Sequence, residues 1–175
     1  MRVPFPRASG NVSATRGQAV IELAITLMLL VTLLMGIFDY SRAIHAQSII
    51  TNMSREGANL VARANMNLSG DEPTDFQNVL DLIGKTAQPL DMVNRGLMYI
   101  YKVERVGGVN TITQELGWSR SAASPRPVRS PSARNLGGVT LADGQAAYGV
   151  EVYYRYRSVF LGSLFSPTLK SISIF

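Results

Sequence analysis

The stretch QAVIELAITLMLLVTLLMGIF, residues 18–38, decides how the rest of the chain can be arranged. Twelve of the positions from 19 to 38 are Val, Ile, Leu or Phe, and residues 23–38 carry no charge. At 1.5 Å per residue, an α-helix of about 20 residues crosses a hydrocarbon core of roughly 30 Å. Each large apolar residue favours insertion by about 0.3–0.6 kcal/mol, against roughly 2.5–3.5 kcal/mol for a charge at the helix centre. Glu22 lies near one end, where the penalty is smaller, so the balance favours a membrane helix.

The flanks give it a direction. Residues 1–17, MRVPFPRASGNVSATRG, hold two prolines, two glycines and three arginines (Arg2, Arg7, Arg16), with no acid. They show no helical or strand periodicity and read as a flexible basic leader. The far side begins Asp39-Tyr40-Ser41-Arg42. The positive-inside bias therefore places the N-terminus in the cytoplasm and everything after residue 38 across the membrane. A cleaved secretory signal is one reading, with Ser41-Arg42-Ala43 as a small-x-small site, although the 16-residue uncharged stretch exceeds the usual length of about 7–15. A plain signal anchor is a second, and it leaves Glu22 without a role.

Composition narrows the chemistry. The 175 residues make one domain with a modest appendage. The net charge of +5 includes the three leader arginines, so the remainder carries 14 basic residues against 12 acidic ones. The basic pI of 9.8 is thus partly a property of the leader, and no specific nucleic-acid partner is expected. There is no cysteine and one histidine, His45, which excludes thiolate zinc sites, iron–sulfur clusters and thiol catalysis. No acidic cluster accompanies His45, which reads as a surface or interfacial residue. Without a nucleophile–base pair or a phosphate loop, a secreted hydrolase is remote, and no catalytic residue, metal or cofactor is expected.

A third reading uses every oddity of the N-terminus. A basic leader ending in Gly17, a short gap, Glu22 at the fifth position after that glycine and then an apolar helix resemble a prepilin. Residues 16–63 are more specifically similar to the TadE-like family of minor pilins or pseudopilins of the tight-adherence pilus. The matching positions are Gly17, Glu22, the Gly36–Asp39–Tyr40 group and the Arg55-Glu56-Gly57-Ala58 motif. Leu23 stands where that family usually has an aromatic residue, and Met28 where it commonly has a proline, which implies a straighter helix here. The resemblance implies insertion in the bacterial inner membrane and cleavage between Gly17 and Gln18 by a prepilin peptidase. Its implied partners are other pilins and inner-membrane pilus-assembly proteins, and its implied role is structural, in surface adhesion. In a prepilin, small Gly17 lets an extended backbone enter the peptidase. After the cut, the new amine on Gln18 offers Glu22 a cationic partner, which a carboxylate in a water-poor bundle needs.

Beyond residue 38 the helical pattern continues. Ala46, Ile49/Ile50, Met53, Gly57, Leu60/Val61 and Ala64 recur at three- and four-residue steps. A rod of about 47 residues and roughly 70 Å follows, with Gly36 and Gly57 as soft points. A loop is expected over 67–75, then a short amphipathic helix over 75–87 with Phe76, Val79/Leu80 and Ile83 on one face. Strands are expected at 96–106 and 111–118 about a Gly107–Asn110 turn, at 146–160, and at the LKSISIF tail. Along 146–160, Val150, Val152, Tyr154 and Tyr156 share one face, and Glu151, Tyr153, Arg155 and Arg157 the other. The tyrosines read as sheet packing or, alternatively, as an exposed adhesive surface. Residues 119–135 hold three prolines and four arginines with no acid, and read as a mobile loop.

The expected architecture is α+β: a long N-terminal helix, transmembrane over 18–38 and periplasmic over 39–66, packed on a small antiparallel sheet domain over 67–175. The expected function is that of a minor pilin or pilus-assembly protein. A signal-anchored periplasmic interaction module outside any filament is the alternative.

Overall fold

A computed structural model describes residues 12–64, 73–118 and 140–175. One uninterrupted helix, α1 (Val12–Ala64), is 53 residues long and spans about 80 Å. It begins five residues before Gly17, so the end of the basic leader is helical where an irregular chain was expected. The helix runs through Gly36 and Gly57 without a break. Its first half buries nothing: every residue from Gly17 to Met35 is exposed. Its second half buries Ala43, Ala46, Ile50, Met53, Gly57 and Val61, a stripe at the three- and four-residue steps of one helix face, with Ala58 buried beside it.

That stripe lies on a four-stranded antiparallel sheet of order β2-β1-β3-β4, formed by β1 (Gly96–Val106), β2 (Val109–Trp118), β3 (Ala146–Arg155) and β4 (Thr168–Ile174). The helix contacts β3 and β4, the half of the sheet formed last in the chain. Helix α2 (Pro73–Thr86) leans on α1 and delivers Leu80 and Ile83 to the core, as expected; the side chains of Phe76 and Val79 lie outside the described residues. The expected loop at 67–75 is described only from Pro73, which already belongs to α2, and the basic loop 119–135 lies outside the described residues. A short helix, α3 (Met92–Arg95), capped by the Asp91 carboxylate, leads into β1.

The β1–β2 hairpin turns through Gly107 and Gly108, at φ 60° and 79°. Two consecutive positive φ values define the type I′ turn that matches strand twist, and only glycine adopts them without strain. Alternation along β3 sorts its side chains as expected. Val150, Val152 and Tyr154 join the core under α1, where each aliphatic side chain contributes roughly 1.5–3 kcal/mol. The tyrosines of β3 and its continuation, Tyr148, Tyr153, Tyr154 and Tyr156, are all buried, which removes the adhesive-surface alternative for them.

The opposite face of the sheet carries a charge inside. Glu151 is 4% exposed; it pairs with Lys170 Nζ at 2.7 Å on the neighbouring strand and accepts the Tyr153 hydroxyl at 2.5 Å. Burial, then the hydrogen bond to Glu151, pushes the Tyr153 phenol up. Burial works to lower the Lys170 ammonium, but Glu151 and Tyr153 outweigh it and hold the group above its ordinary range. Lys170→Met leaves the carboxylate with one neutral partner, which should cost about 1–3 kcal/mol in chemical denaturation. Adding Glu151→Gln should recover much of that loss, because the orphaned charge is then gone.

Candidate functional site: the membrane exit of the long helix

The apolar half of α1 gives way to the packed half at Asp39. This residue is fully buried, one position past the apolar segment, and its carboxylate accepts from one hydroxyl and three backbone N–H groups. The Ser158 hydroxyl donates to Oδ2, as do the backbone N–H groups of Phe160 and Leu161, both at 3.0 Å; Val159 N–H donates to Oδ1 at 2.9 Å. Three successive amides converging on one anion form a nest of fixed partial charges. Burial alone would raise the carboxyl pKa, but the Ser158 hydroxyl and the three amides overcome it and lower it from 3.8 to about 2. The Tyr156 hydroxyl donates to the Asp39 carbonyl at 3.1 Å, and the Phe160 ring meets Phe38 edge-on, 5.5 Å between centroids.

This clasp explains where β3 stops. A strand was expected to run to residue 160, but it ends at Arg155. The N–H groups of residues 159–161 turn to Asp39 instead of a neighbouring strand, and a short 3₁₀ turn, Gly162–Leu164, follows. The segment thus reaches back about 120 residues in sequence to the helix before returning as β4.

A second seam ties β4 to α1. Ser54 Oγ lies 2.8 Å from Ser171 Oγ and 3.0 Å from Ser173 Oγ, and Gln47 Nε2 donates to the Lys170 carbonyl at 2.9 Å. Gln47, Thr51 and Ser54 are spaced as one helix stripe, and Ser171 and Ser173 as one strand face. Neither seam partner set stood out in the sequence. Asp39 was singled out, but Ser158 is a lone serine before an apolar run, and the Ser171/Ser173 alternation looks like an ordinary solvated strand face.

The remaining residues of interest divide by height along α1. Gly17, Gln18 and Glu22 are exposed in the apolar half; the Gln18 amide donates to Glu22 Oε1 at 3.0 Å, one helical turn away. Gly17 is helical here, not extended. Thr32 satisfies its hydroxyl on the Met28 carbonyl at 2.9 Å, as an apolar setting demands. Gly36 has no atom of the surrounding fold within 4 Å of a built Cβ, and Tyr40 is 62% exposed. Arg55 and Glu56 point to solvent, whereas Gly57 and Ala58 are buried. A Cβ at Gly57 would lie 3.2 Å from Ile83 Cδ1 and 3.4 Å from Val150 Cγ1, so the missing side chain lets α1 pack closely on α2 and β3 here. The motif 55–58 is therefore half solvated surface and half packing contact.

The exposed half of α1 qualifies as a membrane anchor, with a mean hydropathy of 2.5 over its most apolar 18 residues. His45 is exposed, and among the described residues no group of three His, Asp or Glu side chains forms a metal cluster. Residues 17–59 match the model of the family described as TadE-like protein. No curated protein and no solved structure matches the chain.

Proposed function

We propose that this chain, TadE-like over residues 17–59, is a pilin-like structural component of a tight-adherence pilus, either a minor pilin or an assembly protein. The match over residues 17–59 supports a pilus-associated role; the finer role rests on one observation above all. The α1 rod is exposed on all sides from Gly17 to Met35, with Glu22 near the start of that apolar stretch, while its other half is committed to the sheet. Such a rod can leave the bilayer sideways into a bundle of like helices, because the folded half already holds its own domain without help from lipid.

In this reading the N-terminus is cytoplasmic, the sheet domain periplasmic, and a prepilin peptidase of the inner membrane cuts between Gly17 and Gln18. Glycine costs about 1 kcal/mol relative to alanine within a helix, so the chain at Gly17 unwinds into the extended form a peptidase requires more readily than it would at an alanine. The cut adds an α-amine to Gln18, one turn from Glu22, or leaves that amine to meet the Glu22 of an adjacent copy. A carboxylate in an apolar bundle needs such a cation. The domain's dependence on Asp39 supports anchoring over secretion: cleavage after Ala43 would discard the acceptor that residues 158–161 fold around.

The test is the N-terminus of the membrane-extracted protein from cells that hold the peptidase, read by intact mass and terminal peptide sequencing. We expect Gln18 as the first residue, Gly17→Leu to remain uncut, and Glu22→Ala to insert normally but yield no pili. A chain starting near Ile44 would overturn the pilin reading in favour of a secreted protein. An intact Met1 would overturn it in favour of a signal-anchored module.

A further inference from the structure

We infer that the membrane exit of α1 carries a binding site for a phosphate oxyanion, supplied by the headgroup of an anionic phospholipid. Two adjoining cavities, of about 430 and 290 Å³, share Arg95, Tyr156 and Arg157. Arg155 completes the basic lining of the first, and Arg42 with His45 that of the second. Four arginines thus line two adjoining cavities. Asp91 is the single carboxylate lining either cavity, and both its oxygens are held by the Asn94 side chain, at 3.1 and 2.9 Å. None of the four arginines is salt-bridged among the described residues, and Arg42, Arg155 and Arg157 are exposed; Arg42 rests 6.0 Å over the Phe38 ring.

Arginine matches a phosphate with two parallel N–H donors, and Ser163 and Ser166 add neutral donors around the rim. Position selects the source of the phosphate. Arg42 and His45 stand four and seven residues past Phe38, about 6 and 10 Å along the helix axis, at headgroup height if the apolar segment spans the bilayer. Beside them Val159, Phe160 and Leu164 are exposed by 54, 50 and 89%, an apolar rim where the acyl boundary would lie. Burying that rim in lipid while arginines hold the headgroups satisfies both halves of the surface. The lipid source rests on the membrane-anchor reading; the oxyanion site does not.

The experiment uses the full-length protein in mild detergent, with phosphatidylglycerol, phosphatidylcholine or inorganic phosphate added separately. Retained lipid is read by native mass spectrometry and the melting temperature in parallel. We expect preferential retention of phosphatidylglycerol, unaffected by Arg2→Gln/Arg7→Gln/Arg16→Gln in the leader. Arg42→Gln/Arg95→Gln/Arg157→Gln should weaken it roughly 100-fold, with unchanged melting in lipid-free detergent. Should that triple variant not fold, Arg157→Gln alone, at an exposed position shared by both cavities, should weaken it several-fold. Equal retention of the two lipids, with no arginine-dependent melting shift from phosphate, overturns the site. So does phosphatidylglycerol binding that only the leader variant loses. A phosphate-induced melting shift that needs these arginines, without lipid preference, keeps the oxyanion site and overturns the lipid source. Alkaline carbonate extraction of membranes tests the anchor separately.

Discussion

Asp39→Ala should release the segment from Tyr156 to Leu164 from the long helix while leaving the four-stranded sheet paired. The substitution strips the acceptor from one hydroxyl and three backbone amides at once; Leu161 N–H alone keeps another acceptor, Ser158 Oγ at 2.7 Å. Buried donors without partners are among the costliest defects a fold can carry. The melting temperature should fall by more than about 5 °C, and limited proteolysis should open a new site between residues 156 and 167. Asp39→Asn should fall between, since an amide keeps one acceptor oxygen and adds donors where donors already crowd. Acid titration gives a second signature. Because folding lowers this carboxyl from 3.8 to about 2, its contribution is complete above about pH 4 and is lost as the pH falls through about 2. The wild-type protein should therefore lose stability between about pH 4 and 2, and Asp39→Asn should be flatter across that window. Unfolding curves of the two proteins that run parallel from pH 5 to 2 would show the clasp to be idle.

Gly149→Ala should be nearly as damaging, for steric reasons alone. Gly149 faces Tyr101 across the β1–β3 pair, and the tyrosine ring occupies the space beside it. A Cβ there would sit 2.3 Å from Tyr101 Cε2 and 2.4 Å from Cζ, inside the ring's van der Waals envelope. The ring cannot retreat, since Tyr101 is 2% exposed and packed with Val103, Leu141 and Ala147. Overpacking of this kind costs about 1–3 kcal/mol, and Gly149→Val should exceed Gly149→Ala. Urea unfolding at constant m-value measures it. Combining Gly149→Ala with Tyr101→Leu should cost less than the sum of the two single changes, as the clash and the lost ring are one event. A fully additive pair would mean that the ring finds another place.

How much of this was legible beforehand follows from where the forces act. Local periodicity is written into the chain, so the long helix, the β1–β2 hairpin at Gly107-Gly108 and the inward face of β3 could be read from apolar spacing and turn chemistry. The antiparallel four-strand sheet and its packing on the helix followed from the same pattern. Long-range polar contacts are not periodic. Asp39 was legible as a residue of interest but not as a ligand for amides 120 positions away, and the end of β3 at Arg155 was missed for the same reason. The Ser54–Ser171–Ser173 seam was hidden because small hydroxyl residues carry the same sequence signal whether they face water or one another. Gly57 was read as a soft point because sequence records that a side chain is missing, not what fills the space.

The spacing of two of these contacts has a mechanical consequence. Asp39 and Gly57 are 18 residues apart, which is five helical turns, so both lie on one line of the rod about 27 Å apart. One is gripped by the amide nest and the other is wedged against Ile83 and Val150. A body fastened to a shaft at two such points cannot swivel about it. The bearing of the sheet around the helix axis is therefore fixed, and so is the compass direction in which each apolar residue of the free half points relative to the domain. Wherever neighbouring helices seat that half, they also choose which side of the domain looks outward.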